Sequence, residues 1–330
     1  MIVIFSAMND YSTFEVIRWL NYFGEFDIVR INSNEKKNIL FRIHGNDFTI
    51  QVDENVIELS KIRAVWYRKG TRWLEGQFQE VCIEEHPKLT SYLNNKAEKE
   101  DNKLSDYIHY VIEQRVPVLG SAFKYNLNKM ITLDIAQSVG LHTPAFYVFN
   151  EKQCIKNLLK GDEQYITKSM SDGVYLFENE EKSQGYFTYT ESLSSEDMEG
   201  YPEKISPSFI QSKIEKQYEV RVFYLDGRFF SWAIFSQSDT QTRTDYRKYN
   251  DQRPNRVVPY VLPETLQQQL IDLFRKIDLN TGSVDLMVDS QDTYFFLEIN
   301  PTGQFGVLSR ATNYQLEAEI ARWLINHAQH

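Results

Sequence analysis

Glu298 and Asn300 stand two apart in FFLEINPTGQFG (295–306), a run that otherwise reads as a buried strand. Side chains two apart on a strand share a face. A core does not accept a carboxylate there unless it is paired or bound to a cation. The partner strand is GSVDLMVD (282–289), where Val284, Leu286 and Val288 share one face and Asp285 lies on the other. An even-numbered connecting loop sets Asp285 directly opposite Glu298 in an antiparallel pair, whereas an odd loop displaces it. Asp285, Glu298 and Asn300 then converge on one patch. Such an all-oxygen set suits Mg2+, which completes its octahedron with water and phosphate oxygens. A solvated sheet face with ordinary surface carboxylates is the plainer reading of the same spacing.

A metal of that kind works on an anionic substrate, and two lysines are placed to meet one. Lys129 lies early in a predicted helix, 126–139, whose Leu127, Ile131, Ile135 and Val139 recur every four residues. Gly140 and Pro144 end that helix. Lys168 closes a short strand (164–168) and opens the small-residue loop Ser169–Gly173. Backbone N–H groups of such a loop can close over a phosphate. KSMSDG alone is a weak signal, and the P-loop pattern GxxxxGK[ST] is absent. Basic residues cluster twice more. Arg68, Lys69 and Arg72 in YRKGTRW read equally as a solvated loop or an anion site, and five Lys/Arg between Arg243 and Arg256, Arg247 among them, favour an anion site.

The elements that must position these groups follow from patterning along 330 residues, enough for two or three lobes. Strands are predicted at 2–6, 26–32, 48–52 and 62–68, an amphipathic helix at 13–24, and one or two solvated helices over 85–115. A hairpin over 175–190 and an acidic connecting loop over 191–208 precede β-rich runs at 208–214 and 218–237. Asp226-Gly227 marks a tight turn in the second of these runs. A helix at 263–277, the carboxylate hairpin and a final helix at 313–328 close the chain. The fold class is α/β (α+β).

Composition removes other readings. A formal net charge of −10 argues against broad nucleic-acid affinity. No apolar run approaches the roughly 20 residues that cross a bilayer, so no membrane partner is expected. MIVIFSAMNDYS reads as a first strand, not a signal peptide. Cys82 and Cys154 have no metal-like spacing, which points to free thiols in a cytoplasmic protein. Histidine is scarce, with six in the chain, giving a Ser/His or Cys/His mechanism little support.

The succession NKMITLDIAQSVGLHTPAF, YITKSMSDG, FIQSKIEKQYEVRVFYLDGRFFSWAI, GSVDLMV and FLEINPTGQFG resembles the ATP-grasp superfamily over residues 120–310. The α/β region before it is similar to that superfamily's N-terminal lobe. SPSFIQSKIEKQYEVRVFYLDGRFFSWAIFSQ, TDYRKYN and NPTGQFG further resemble the graspetide macrocyclases, which include microviridin-type ligases and the maturases of grasp-with-spasm systems.

The resemblance implies an N-terminal α/β domain (1–120) followed by two β-rich ATP-grasp subdomains (121–207 and 208–330) clamping ATP. It implies that Lys129 and Lys168 contact the ATP phosphates under a mobile flap, Ser169–Gly173, in which Gly173 is the sole glycine. The backbone of Gln211, Ser212, Lys213 and Ile214 would read adenine, with Ser212 where Glu is commoner. Glu219 would take the ribose, and Arg221 would sit beside the γ-phosphate and an acyl-phosphate. Asp285, Glu298 and Asn300 would hold Mg2+. The implied activity is ATP-dependent macrocyclisation of a ribosomal precursor peptide, leader plus core. Its Asp or Glu side chains become acyl-phosphates and join Thr or Ser hydroxyls as ω-esters. A ligase forming ω-amides, or joining an amino acid to a small molecule or peptide tail, is the alternative. A nucleotide-binding scaffold is a third reading. A homodimer is expected, with the leader docking near the acidic Glu178, Glu180 and Glu181, Arg247 contacting substrate, and Asp245 a candidate base.

Overall fold

β1 (Ile2–Ser6) is apolar up to Ser6 and buried throughout, as a strand covered on both faces must be. The computed structural model describes the whole chain except residues 34, 75–76, 78–80, 172, 174, 178–184, 238–254 and 330. From β1 the chain enters α1 (Tyr11–Tyr22), whose N-cap Asp10 accepts the Thr13 N–H at 3.0 Å. β2 (Ile28–Asn32) then returns parallel to β1. β3 (Ile39–His44), β4 (Asp47–Val52) and β5 (Asn55–Glu58) form a separate antiparallel meander. β6 (Ala64–Tyr67) joins the other side of β1, and after α2 (Pro87–Arg115) the short β7 (Val118–Leu119) completes a parallel sheet ordered β2-β1-β6-β7. Gly70 has φ +73°, and a Cβ there would fall 2.1 Å from the Ser6 carbonyl oxygen. Only glycine lets the chain leave β6 so close to β1.

α3 (Lys129–Ser138) opens a second set of elements. β8 (Phe146–Glu151), α4 (Lys152–Leu158) and β9 (Tyr165–Thr167) follow. β10 (Tyr175–Phe177) and β11 (Gly185–Phe187) pair as the expected hairpin. The stretch expected as a connecting loop carries β12 (Glu191–Leu193) and the start of β13 (Lys204–Ser212). β12 has only three residues, too few to show an alternation, and it is held by pairing with β9. These strands form an antiparallel sheet, β12-β9-β13-β8.

β14 (Lys216–Leu225) and β15 (Arg228–Phe235) meet at Asp226-Gly227, both at positive φ as the predicted tight turn requires. β16 (Arg256–Tyr260), α5 (Glu264–Ile277), β17 (Thr281–Asp289) and β18 (Tyr294–Asn300) complete a sheet ordered β16-β15-β14-β17-β18. The terminal helix expected over 313–328 is α7 (Leu316–His327), and an additional short helix, α6 (Gly306–Thr312), precedes it, the two separated where Asn313 and Gln315 are left-handed.

Contacts divide the chain into two units. One comprises Met1–Asn126, Leu279–Gly282 and Pro301–His330; the other comprises Leu127–Asp278 and Ser283–Asn300. In the first, α7 packs on α1 and β6, and Phe5, Ile31, Trp73, Ile108 and Ile112 build one core. In the second, Leu266, Leu270, Leu273 and Phe274 bury one face of α5, and Phe274 stacks on Tyr224 with ring centroids 4.0 Å apart. No helix among the described residues is long and apolar enough to cross a membrane.

Candidate functional site

Asp285 faces Glu298 across β17 and β18, and Ser283 faces Asn300 beside them. The pairing is as expected, but the route to it is not. Val288 pairs with Tyr294, so the intervening loop is 289–293, an odd number that by itself would set Asp285 against Leu297. A β-bulge between Leu286 and Asp285 takes up Leu297 and restores the facing pair. Bulges re-aim side chains in this way, often beside functional sites. Asp289 fixes the loop by accepting the Gln291 and Thr293 N–H groups, each at 2.9 Å.

Cations converge on both carboxylates. Arg221, on the neighbouring β14, ion-pairs with Asp285 through Nη1, and its Nη2 lies 3.7 Å from Glu219. The other oxygen of Glu219 binds buried Lys216 and accepts the Ser236 hydroxyl at 3.2 Å. Lys129 Nζ lies 3.2 Å from Glu298 and donates to the Ser169 carbonyl at 3.0 Å. Lys168 stands over the Phe209 ring, 5.9 Å from its centroid. Burial pushes the Asp285 carboxyl up, Arg221 pulls against it, and Glu298 and Glu219 push with burial, so it stays above the usual carboxylate range. Burial would raise Glu298 too, but Lys129, Lys168 and Arg221 outweigh it and hold that carboxyl well below its ordinary value. Two facing carboxylates are thus pushed apart in proton affinity.

Lys129 reaches Glu298 because of the face α3 buries. That face is Thr132, Leu133 and Ala136, packed toward β18, not the expected stripe, for Ile131 is 59% exposed. Lys129 sits three and four residues before Thr132 and Leu133, hence on the buried side.

The residues fit a hard divalent cation by chemistry. Among the described residues no group of three or more His, Cys, Asp or Glu side chains is placed to hold a metal. Asp285 and Glu298 therefore need Asn300 and oxygens from outside the chain, which is how Mg2+ is held beside phosphates. Ser283 Oγ, opposite Asn300, is buried without a hydrogen-bond partner and adds one further oxygen to that face.

The expected hinge differs in detail. The Ser212 and Lys213 N–H groups are spent on the Ala145 and Gln164 carbonyls, at 2.9 and 2.8 Å. Ile214 gives its carbonyl to the Lys216 N–H. It is the Gln211 side chain that is left over: buried, between Phe146 of β8 and Ile166 of β9, with neither amide atom bonded. An orphaned buried carboxamide costs about 1–3 kcal/mol, so it points to a ligand. Gly173 passes so near Thr188 that a Cβ would lie 2.4 Å from its hydroxyl, which explains the one glycine of the loop.

Other expectations fare differently. Arg68 is no solvated loop cation: it is buried and donates to the Thr302 and Gly303 carbonyls and to Gln304, against the Phe305 ring. Sequence reasoning missed Lys216, Ser236 and Ser283; only Ser283 had a signal, two residues before Asp285 on the same face. Glu178, Glu180, Glu181, Asp245 and Arg247 lie outside the described residues.

No family model and no curated protein matches the chain. Solved structures do. A RiPP-associated ATP-grasp ligase from Chryseobacterium gregarium, in complex with ADP and a leader and core peptide, is similar over 98% of this chain and 96% of its own, with 22% identity and a TM-score of 0.77. The chain has the ATP-grasp fold. Macrocyclase MdnC from Microcystis aeruginosa MRC, bound with precursor peptide MdnA, is similar over 99% of this chain and 100% of its own, at 23% identity and TM-score 0.75. ATP-grasp ligase PsnB, complexed with minimal precursor, Mg and ADP, covers 99% and 97%, at 17% identity and TM-score 0.73. The likeness runs end to end, so the α/β class read from the sequence holds, and so does the fold implied by its five motif blocks. A fold hosts many chemistries, and function is argued from the site.

Proposed function

We propose that the chain is an ATP-dependent peptide macrocyclase. It would activate Asp or Glu side chains of a ribosomal precursor peptide and join them to Thr or Ser hydroxyls as ω-esters. One observation carries this reading: facing carboxylates ringed by Arg221, Lys129 and Lys168, in a chain similar end to end to ligases solved with precursor peptides.

A carboxylate carries no leaving group, so it must first be given one. A substrate carboxylate oxygen attacks the γ-phosphorus of ATP, ADP leaves, and an acyl-phosphate forms. Lys129 and Lys168 offset the phosphate charge during that transfer. Gln211 meets the adenine edge, and Glu219, held by Lys216, takes the ribose hydroxyls. The hydroxyl oxygen then attacks the acyl carbon, the oxyanion is stabilised by Arg221, phosphate leaves, and the proton passes to a base. Asp285, Glu298 and Asn300 would hold Mg2+, which when bound supplies charge neutralisation across the phosphates. Ser169–Gly173 would act as the flap that keeps out water. Residues 1–120 would serve as the N-terminal lobe, with 121–207 and 208–330 as the two ATP-clamping lobes. Glu178, Glu180 and Glu181 remain proposed leader contacts and Arg247 a core contact, in a cytoplasmic homodimer.

The test is incubation with ATP, MgCl2 and a Thr- and Asp/Glu-rich peptide encoded beside the gene, followed by intact mass and nucleotide analysis. Loss of one water per ring with ADP formed supports cyclisation, and hydroxylamine opens esters but spares amides. ADP formed only with a free amino acid, and an unmodified peptide, would replace the cyclase with an amide ligase.

A further inference from the structure

In the sheet β2-β1-β6-β7 the chain leaves β1 for β2 on one side and returns to β6 on the other. The carboxyl ends of β1 and β6 therefore flank a topological switch point, the position where open α/β sheets receive ligands. Cationic side chains from β2, from the loop after β6 and from α6 meet the aromatic residues that follow β1. Arg30 donates to the Ala7 and Met8 carbonyls at 2.6 and 3.2 Å, and its guanidinium lies 4.3 Å from the Phe14 ring centroid. Arg310 lies 4.9 Å from the Tyr11 centroid, and Lys69 Nζ is 3.4 Å from Asp10. Met8, Tyr11 and Phe14 are nonetheless 45%, 54% and 51% exposed. They form a wet apolar surface rimmed by Arg30, Lys69 and Arg310.

The local charge is opposite to that of the chain. Arg30, Lys37, Arg68, Lys69 and Arg310 stand against three carboxylates, Asp10, Glu35 and Asp53. Asp10 is shared by Arg68 and Lys69 and has no exposed side-chain surface, and Glu35 is held by Lys37 at 2.8 Å. The first turn of α1 carries no acidic residue, so the positive end of its dipole adds to the same field. A chain of net charge −10 repels an acidic peptide over most of its surface, and here it attracts one. A guanidinium resting on an aromatic ring, such as Arg310 over Tyr11, can still present its edge to a carboxylate. Arg30 instead spends Nε on Asn32 and Nη2 on the Ala7 and Met8 carbonyls and adds its charge alone. We propose that this rim docks the Asp/Glu-rich segment of the peptide substrate. The identity of that occupant rests on the function proposed above.

The experiment is fluorescence anisotropy with a labelled twelve-residue peptide of alternating Glu and Thr, without ATP, against the wild-type chain. The expected result is binding that weakens about tenfold or more from low to physiological salt. The Arg310→Glu/Lys69→Gln variant, which leaves Asp10 paired with Arg68, should bind about tenfold more weakly with unchanged melting temperature and ATP affinity. The single variant Arg310→Glu should show the same direction. Equal affinity in the variants, or equal binding of a Lys/Thr peptide, overturns the proposal, as does tighter binding of an oligothymidylate of the same length. A chain that cyclises precursor with the same peptide KM in the double variant overturns the rim alone. A chain that binds the acidic peptide through these residues but never forms ADP or a ring overturns the cyclase alone.

Discussion

Glu298 is a carboxylate kept ionised by two lysines and an arginine, and its side chain is about a third exposed. Asn300 is exposed. Neither contributes apolar burial, so Glu298→Gln and Asn300→Ala should abolish Mg2+-dependent ATP turnover while melting temperature changes little; turnover at saturating Mg2+ in either variant would contradict the metal assignment. Lys168→Ala should raise the KM for ATP and lower kcat together, because its charge follows the phosphates into the transition state. Gln211 makes the sharper test. Replacing an orphaned buried carboxamide with an apolar residue of similar shape removes a desolvation cost. Gln211→Leu should therefore hold or raise stability by about 1 kcal/mol, while ATP affinity falls by calorimetry. Lost stability with ATP affinity intact would mean that the carboxamide serves the fold.

Among the elements, α5 was legible to within a residue because Leu266, Leu270, Leu273 and Phe274 all bury. The hairpin β17–β18 was legible for its pairing but not its means, since a bulge compensates for a loop of the wrong parity and no sequence rule signals that. In α3 the four-residue spacing misled. Four residues overshoot a 3.6-residue turn by about 40°, so a stripe repeated at that interval drifts off the buried face and Ile131 ends in solvent. β3 and β5 escaped notice because apolar side chains face outward in both, Leu40 and Phe41 in one and Val56 in the other, so neither run shows the alternation of a half-buried strand. The burial of Arg68 was illegible for another reason: its partners Thr302 and Gly303 are more than two hundred positions away. The α3 correction is directly testable by urea unfolding. Ile131→Glu should be near neutral, whereas Leu133→Ala should cost about 2–5 kcal/mol. Comparable losses in both would restore the original stripe.

For the molecule as a whole, acid sensitivity has an identifiable source at His109. The ring is buried in the first unit, with Nε2 2.9 Å from the Thr71 carbonyl and Nδ1 3.1 Å from the Tyr67 hydroxyl. A carbonyl only accepts, so Nε2 carries the proton and Nδ1 accepts from Tyr67, which satisfies the neutral ring. Burial pulls its pKa down to about 4, against 6.5 in an exposed ring. With the folded value below the unfolded one, this stability is complete above pH 6.5 and is lost as pH falls toward 4, by about 3 kcal/mol. His109→Gln should flatten the melting curve across that window, and an unchanged slope would remove His109 as the cause. The proposed function rests on transfer of a phosphoryl group to a peptide carboxylate. The most direct measurement of that step uses a precursor whose Asp and Glu side chains carry oxygen-18, incubated with the chain, ATP and Mg2+. The prediction is one labelled oxygen in inorganic phosphate for every ring closed, with ADP as the nucleotide product; rings closed with unlabelled phosphate, or with AMP and pyrophosphate, would contradict it.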